Sequence, residues 1–219
     1  MEHATRLKKM PIPAGGRTWD LWIPEDPDEL LEAVEEGDFH RDERMPYWGE
    51  IWPSSWALAD FINETRKVRG RSTLELGCGL GLPSLSAAAA GARVLATDYF
   101  PEALELLRRN ACEASLDLDT AYLDWREPEH LEGFDLVMGA DLLYEHRSIE
   151  PLIRLLSQDL RWYPEILIAD PRRATARPFA ARLARLGFEI ETHERRVPGF
   201  RGVQTIRLYT ARRIAKVSV

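Results

Sequence analysis

The sequence predicts a doubly wound α/β domain, built on a mostly parallel sheet of about seven strands and closed by a C-terminal antiparallel hairpin. Two observations carry this. From Arg71 onward, short apolar runs alternate with helical segments in a βαβαβ order, which implies parallel strands with helices on both faces. The last two strand-like runs have no helix between them, only the turn Val197-Pro-Gly-Phe-Arg-Gly202, and such a connection joins antiparallel neighbours. A chain of 219 residues with 45% hydrophobic and 30% charged residues can bury the core that such a sheet requires.

The elements follow in order. After an irregular opening, Thr18–Ile23 reads as a short strand and residues 28–37 as a short helix with Asp28 as N-cap and Gly37 as stop. Ser54 or Ser55 caps a helix whose apolar positions Trp56, Leu58, Ala59, Phe61 and Ile62 fit a 3.6-residue period. Strands are expected at Ser72–Leu76, Arg93–Thr97, Thr120–Leu123, Phe134–Gly139, Glu165–Ala169, Glu189–Arg195 and Gln204–Thr210. Helices are expected at Pro83–Ala90, Pro101–Glu113, Ser148–Leu160 and Arg177–Leu186, with Pro101 suited to a first helical turn.

Composition sets outer bounds on function. Two cysteines, Cys78 and Cys112, are too few for a disulfide scaffold, and with no apolar leader or membrane-length run they point to a reducing, cytoplasmic setting without membrane association. The histidines His3, His40, His130, His146 and His193 have no metal-ligand spacing, so no metal is expected; Ser84, Ser86 and Ser115 lack the context of a hydrolase nucleophile. Trp19, Trp22, Trp56 and Trp162 read as packing residues.

The net charge of −7 argues against a dedicated nucleic-acid binder, but it is unevenly placed. Residues 1–50 hold 6 basic and 13 acidic side chains, residues 51–170 hold 11 and 20, and residues 171–219 hold 12 and 3. The basic tail is either a solvated outer face or a docking surface for an acidic macromolecule.

The most informative stretch is Leu74-Glu-Leu-Gly-Cys-Gly-Leu-Gly-Leu-Pro83, between the first parallel strand and its helix. Glycines at that turn let the backbone approach a ligand closely. A dinucleotide fingerprint fails because Leu82 stands where its third small residue belongs, and no Gly-Lys-Ser/Thr follows to make a Walker loop. The loop instead reads Gly-x-Gly-x-Gly, with Gly77, Gly79 and Gly81, and Glu75 two places before it. Asp98 ends the next strand, where a carboxylate can accept both ribose hydroxyls. Asp124 ends a third strand and can accept from an adenine amine, with Trp125 against the ring. With Asp141, these carboxylates gather at the mouth of the sheet and suit a cation better than a pyrophosphate.

The loop resembles the S-adenosylmethionine loop of class I methyltransferases. Together with Pro46-Tyr-Trp-Gly-Glu-Ile-Trp-Pro-Ser-Ser55, Leu123-Asp-Trp125 and Asp141-Leu-Leu-Tyr144, it looks like the seven-strand, Rossmann-like protein-lysine methyltransferases, the group containing electron-transfer-flavoprotein lysine methyltransferase and nicotinamide N-methyltransferase-like relatives. The resemblance covers about residues 45–210, leaving residues 1–44 as an extension and candidate lid and 45–219 as the methyltransferase domain. It implies S-adenosylmethionine as cofactor and S-adenosylhomocysteine as product. It also implies Glu75, Gly77, Gly79 and Gly81 around the methionine part, Asp98 on ribose, Asp124 and Trp125 on adenine, and Trp52, with Trp48, as cofactor-pocket walls. Asp141 and Tyr144 would face the acceptor amine, with Asp141 also beside the cofactor.

Asp170-Pro-Arg-Arg173 resembles a segment near the acceptor pocket in some relatives, without an assigned role. The expected activity is methylation of a lysine side chain on a protein that docks near the basic C-terminal region. The alternatives are a small-molecule N-methyltransferase for a nicotinamide-like compound or amine, an RNA or DNA methyltransferase, and a cofactor-binding module without turnover.

Overall fold

The computed structural model describes residues 5–32, 45–65, 67–128, 131, 133–160 and 164–214. The expected helix beyond Glu32, its Gly37 stop, and His40, His130 and Trp162 lie outside the described residues. Seven strands form one sheet: β3 (Ser72–Leu76), β4 (Arg93–Asp98), β5 (Asp119–Tyr122), β6 (Leu136–Ala140), β7 (Glu165–Asp170), β8 (Phe188–Gly199) and β9 (Gly202–Arg213), in the spatial order β5-β4-β3-β6-β7-β9-β8. Strands β3 to β7 pair in parallel, and β9 lies antiparallel between β7 and β8. The expected fold class is thus present, with the hairpin strands reaching farther at both ends than the apolar runs alone predicted.

The two faces follow from strand parity. In β6, Leu136 and Met138 point to one core and Val137 to the other; in β7, Leu167 and Ala169 oppose Ile166 and Ile168. The first core packs under α2 (Pro53–Thr65), α3 (Leu82–Ala89) and α4 (Pro101–Glu113). The second packs under α5 (His146–Arg154), the π-helical turn Leu155–Asp159 and α6 (Arg177–Arg185). The π turn interrupts the single helix expected over 148–160.

The N-terminal reading needs correction. Leu7–Ala14 forms a strand, β1, paired antiparallel with β2 (Arg17–Pro24), where an irregular opening was expected. Its Pro11 and Pro13 argue against a central strand, but a two-stranded ribbon consists only of edges, where proline is tolerated. The ribbon is bound to the domain. Ile12, Trp19 and Leu21 enter the first core, and Asn110 in α4 brackets Trp22, accepting from its amide at 2.8 Å and donating to its carbonyl at 3.0 Å. The short helix α1 spans Asp28–Glu32, and the Asp28 amide donates to Asp26 Oδ1.

Strand β3 has β4 on one side and β6 on the other, so successive connections leave it in opposite directions. A crevice opens at such a reversal beyond the carboxyl ends of the strands. The ends of β3, β4, β5, β6 and β7 supply the site.

Candidate active site

The loop leaving β3 is shaped by its glycines. Gly77, Gly79 and Gly81 all take positive φ, at 59°, 51° and 74°. At Gly81, at the N-cap of α3, a Cβ would collide with Leu107 of α4 as well as being strained, which explains a glycine there. A Cβ on Gly79 would press on the Trp48 carbonyl at 3.3 Å, so this loop and the Tyr47–Gly49 turn approach backbone to backbone.

The loop borders a cavity of about 520 Å³. Gly77, Gly79 and Gly81 line it from β3, Asp98 from β4, Asp124 and Trp125 from the segment after β5, and Asp141 and Tyr144 from the segment after β6. Trp48 and Trp52 wall it from the segment before α2. All the expected site residues except Glu75 therefore meet around one space, although they come from five separate stretches of chain.

Glu75 lies elsewhere. Leu74 and Leu76 face the second core, so parity turns Glu75 to the opposite face, beneath α3, where it is 1% exposed and accepts a hydrogen bond from Ser84 Oγ. Burial raises its carboxyl to about 8, with the Asp98 charge adding to the shift, so it is largely uncharged at pH 7. It contributes no anion to the mouth of the sheet and supports the loop from below. Cys78 is buried, and burial pushes its thiol up, consistent with packing and not with nucleophilic chemistry.

Asp98 is 7% exposed. Its Oδ2 accepts from the Gly79 amide at 2.8 Å and its Oδ1 from the Phe100 amide at 3.0 Å, so one carboxylate joins the glycine loop to the start of α4. Asp124 faces the cavity but is held by Arg126, whose Nη2 lies 2.7 Å from Oδ2 and whose amide donates to Oδ1 at 2.9 Å.

The opposite wall is aromatic. The Tyr47 ring sits edge-on to Trp52 at 6.0 Å and to Tyr144 at 5.6 Å. Trp52 Nε1 donates to the Tyr47 carbonyl, which fixes the indole. Phe200, at the tip of the β8–β9 hairpin and 62% exposed, stands edge-on to Trp52 at 5.5 Å. Tyr144 is raised to about 12, chiefly by burial and then by the neighbouring Glu145, so it remains a protonated phenol at neutral pH.

Asp141 has a φ of 60° and is 6% exposed. Arg173 Nε and Nη2 both reach its Oδ1, at 2.8 and 2.7 Å, and Ser54 Oγ donates to its Oδ2 at 3.2 Å. Burial raises the Asp141 carboxyl above its ordinary value, while Arg173 and Ser54 act in the opposite direction. Ser54 or Ser55 was expected as a helix cap. Here α2 already begins at Pro53, and the Ser54 hydroxyl is spent on Asp141. Among the described residues, no group of three or more His, Cys, Asp or Glu side chains is arranged to hold a metal, and no helix is long and apolar enough to cross a membrane.

Comparison with known proteins gives the family. A family model described as lysine methyltransferase matches residues 38–184. The chain belongs to the lysine methyltransferase family. Within it, the electron transfer flavoprotein beta subunit lysine methyltransferase of Xenopus laevis is 35% identical over 136 residues, 59% of this chain and 54% of that protein. The EEF1A lysine methyltransferase 3 of Mus musculus is 31% identical over 166 residues, 69% and 68% of the two chains. The chain spans about half the length of several curated relatives that it matches. Among solved structures, magnesium protoporphyrin IX methyltransferase from Synechocystis PCC 6803, with bound SAM, shares the fold at a TM-score of 0.58 and 17% identity, covering 86% of this chain and 90% of that chain. The family match ends before β8 and β9, so the hairpin that touches Trp52 lies outside it.

Proposed function

We propose that this chain is an S-adenosylmethionine-dependent N-methyltransferase whose acceptor is a lysine side chain of a protein substrate. The observation that carries the reading is that one cavity joins the glycine loop and Asp98 to Asp141 and Tyr144. The first group has the chemistry to hold a nucleoside and the second to receive an amine.

The residues fit the cofactor. Asp98 is a buried carboxylate that still lines the cavity, and the loop glycines leave backbone where side chains would intrude. Asp98 would hold the ribose, and Asp124 with Trp125 the adenine end. Gly77, Gly79 and Gly81 would border the methionine part, with Trp48 and Trp52 as walls; Glu75 acts indirectly, through Ser84 and the loop. When bound, S-adenosylmethionine supplies an electrophilic methyl group on a positively charged sulfur.

The remaining work falls to the protein. A lysine amine reacts only after losing its proton, and its reference pKa is about 10.4. Tyr47, Trp52 and Tyr144 surround the entrance with rings that strip water from an alkyl ammonium, which lowers that pKa. Tyr144, held as a phenol, donates or accepts one hydrogen bond and shapes the pocket. Asp141, held by Arg173 and Ser54, helps to orient the amine. Most of the acceleration then comes from holding the nitrogen in line with the methyl group.

The docking surface is narrower than the basic tail suggested. Arg195, Arg207 and Arg212 are engaged by Glu64, Glu194 and Glu165. The hairpin tip remains, with Phe200 and Val203 exposed beside the exposed Arg196 and Arg201, next to the cavity rim. We assign the protein substrate to this tip.

The deciding experiment incubates the full chain with methyl-labelled S-adenosylmethionine and native-host lysate, followed by mass spectrometry of proteins and metabolites. Label on lysine ε-nitrogen is the expected result. Label confined to metabolites would replace this reading with a small-molecule N-methyltransferase, and cofactor binding without any label would leave a binding module.

A further inference from the structure

The pairing of Asp141 with Arg173 is unusual for an amine-binding carboxylate, because both of its oxygens are already engaged. Oδ1 receives two guanidinium nitrogens and Oδ2 the Ser54 hydroxyl. The chain around Arg173 is built to deliver it there. Asp170, fully buried at the end of β7, accepts the Arg173 amide at 2.8 Å through Oδ1. Arg172 takes a φ of 66° and turns outward toward Glu194, so two adjacent arginines diverge and only Arg173 enters the cavity. Its guanidinium carbon also lies 6.0 Å from the Trp52 ring, in reach of a cation–π contact.

The charges facing this point are mixed. Asp98 approaches from β4 and Asp170 from β7, while Glu145, Arg147 and the phenols Tyr47 and Tyr144 complete the rim. An unpaired Asp141 among them would favour ammonium over amine, and each pKa unit in that direction removes about tenfold of the reactive free base. Arg173 cancels that preference at its source.

We propose that Arg173 is a positioning and specificity residue that makes the pocket select the uncharged form of the acceptor amine, by occupying Asp141 and by repelling a second cation. This rests on reading the cavity as a site of amine N-methylation, and its test measures no methyl transfer, so the two can fail separately.

The probe is n-butylamine, an alkyl amine of lysine's reach, titrated into the full chain saturated with S-adenosylhomocysteine at pH 7, 8 and 9. In the wild type, affinity for total amine should rise about tenfold per pH unit, following the free-base fraction. In Arg173→Met, that slope should flatten, and binding at pH 8 should tighten about tenfold, because ammonium now meets an unpaired carboxylate. Arg173→Lys should restore the wild-type slope. S-adenosylhomocysteine affinity within about twofold of wild type checks that the Met variant is intact. Should that variant fail to fold, the wild-type and Lys slopes still decide. A flat or falling wild-type profile, or a Met variant with wild-type affinity and slope, would overturn the proposal.

Discussion

The Gly79 amide donates to Asp98 Oδ2 at 2.8 Å, so the loop after β3 and the end of β4 are one hydrogen-bonded unit. The carboxylate assigned to the ribose is also the group that sets the loop. Asp98→Ala should therefore weaken S-adenosylhomocysteine binding by tenfold or more, about the 1.5–3 kcal/mol of a charged hydrogen bond. Calorimetric titration measures it; an unchanged Kd removes Asp98 from the cofactor site.

Gly81→Ala combines a left-handed backbone, costing roughly 1–2 kcal/mol, with overlap against Leu107 of about 1–3 kcal/mol. At about 2–4 °C per kcal/mol for a domain of this size, the melting temperature should fall by about 5–15 °C. Scanning calorimetry checks this, and a change within about 2 °C would show that α4 yields at no cost.

Glu75 predicts a pH effect. Its folded value of about 8 lies above the ordinary 4.5, so between these pH values the folded protein binds the extra proton. Its contribution therefore becomes less favourable as pH rises from about 4.5 to 8 and is constant above. Glu75→Gln cannot ionise and should gain stability relative to wild type across that window, with a plateau beyond it. Urea unfolding of both proteins at several pH values gives the difference curve; parallel curves would contradict the buried-acid assignment.

Phe200→Ala should lower kcat/KM for the labelled host protein by roughly tenfold, the loss expected of an interface anchor, while leaving S-adenosylhomocysteine affinity unchanged. Equal turnover of wild type and variant would move docking away from the hairpin tip.

Much of this was legible in the sequence, for physical reasons. Ser72–Leu76 and Pro101–Glu113 have the boundaries that apolar runs and a helix-starting proline set. The loop glycines and strand-end aspartates were legible because a strand-to-helix turn fixes where such residues point. Glu75 departs from its expected place because it belongs to the strand and not to the loop: the alternation Leu74, Glu75, Leu76 turns it to the opposite face. Leu7–Ala14 was missed because its two prolines rule out a central strand but not a ribbon edge. The link between Asp141 and Arg173 spans 32 positions and exists only once β6 and β7 are neighbours. The sum over the basic tail hides its pairing, because Arg195, Arg207 and Arg212 find their acids in three different elements.

The central claim is that the cofactor side and the acceptor side of the cavity are separate parts of one machine. It is tested most directly by methyl transfer to the labelled host protein in Asp141→Ala, at a cofactor concentration that saturates the variant by S-adenosylhomocysteine titration. Cofactor affinity should stay within a fewfold of wild type and turnover should fall by about a hundredfold or more, the range for loss of a group that positions the acceptor. Wild-type turnover in that variant would contradict it.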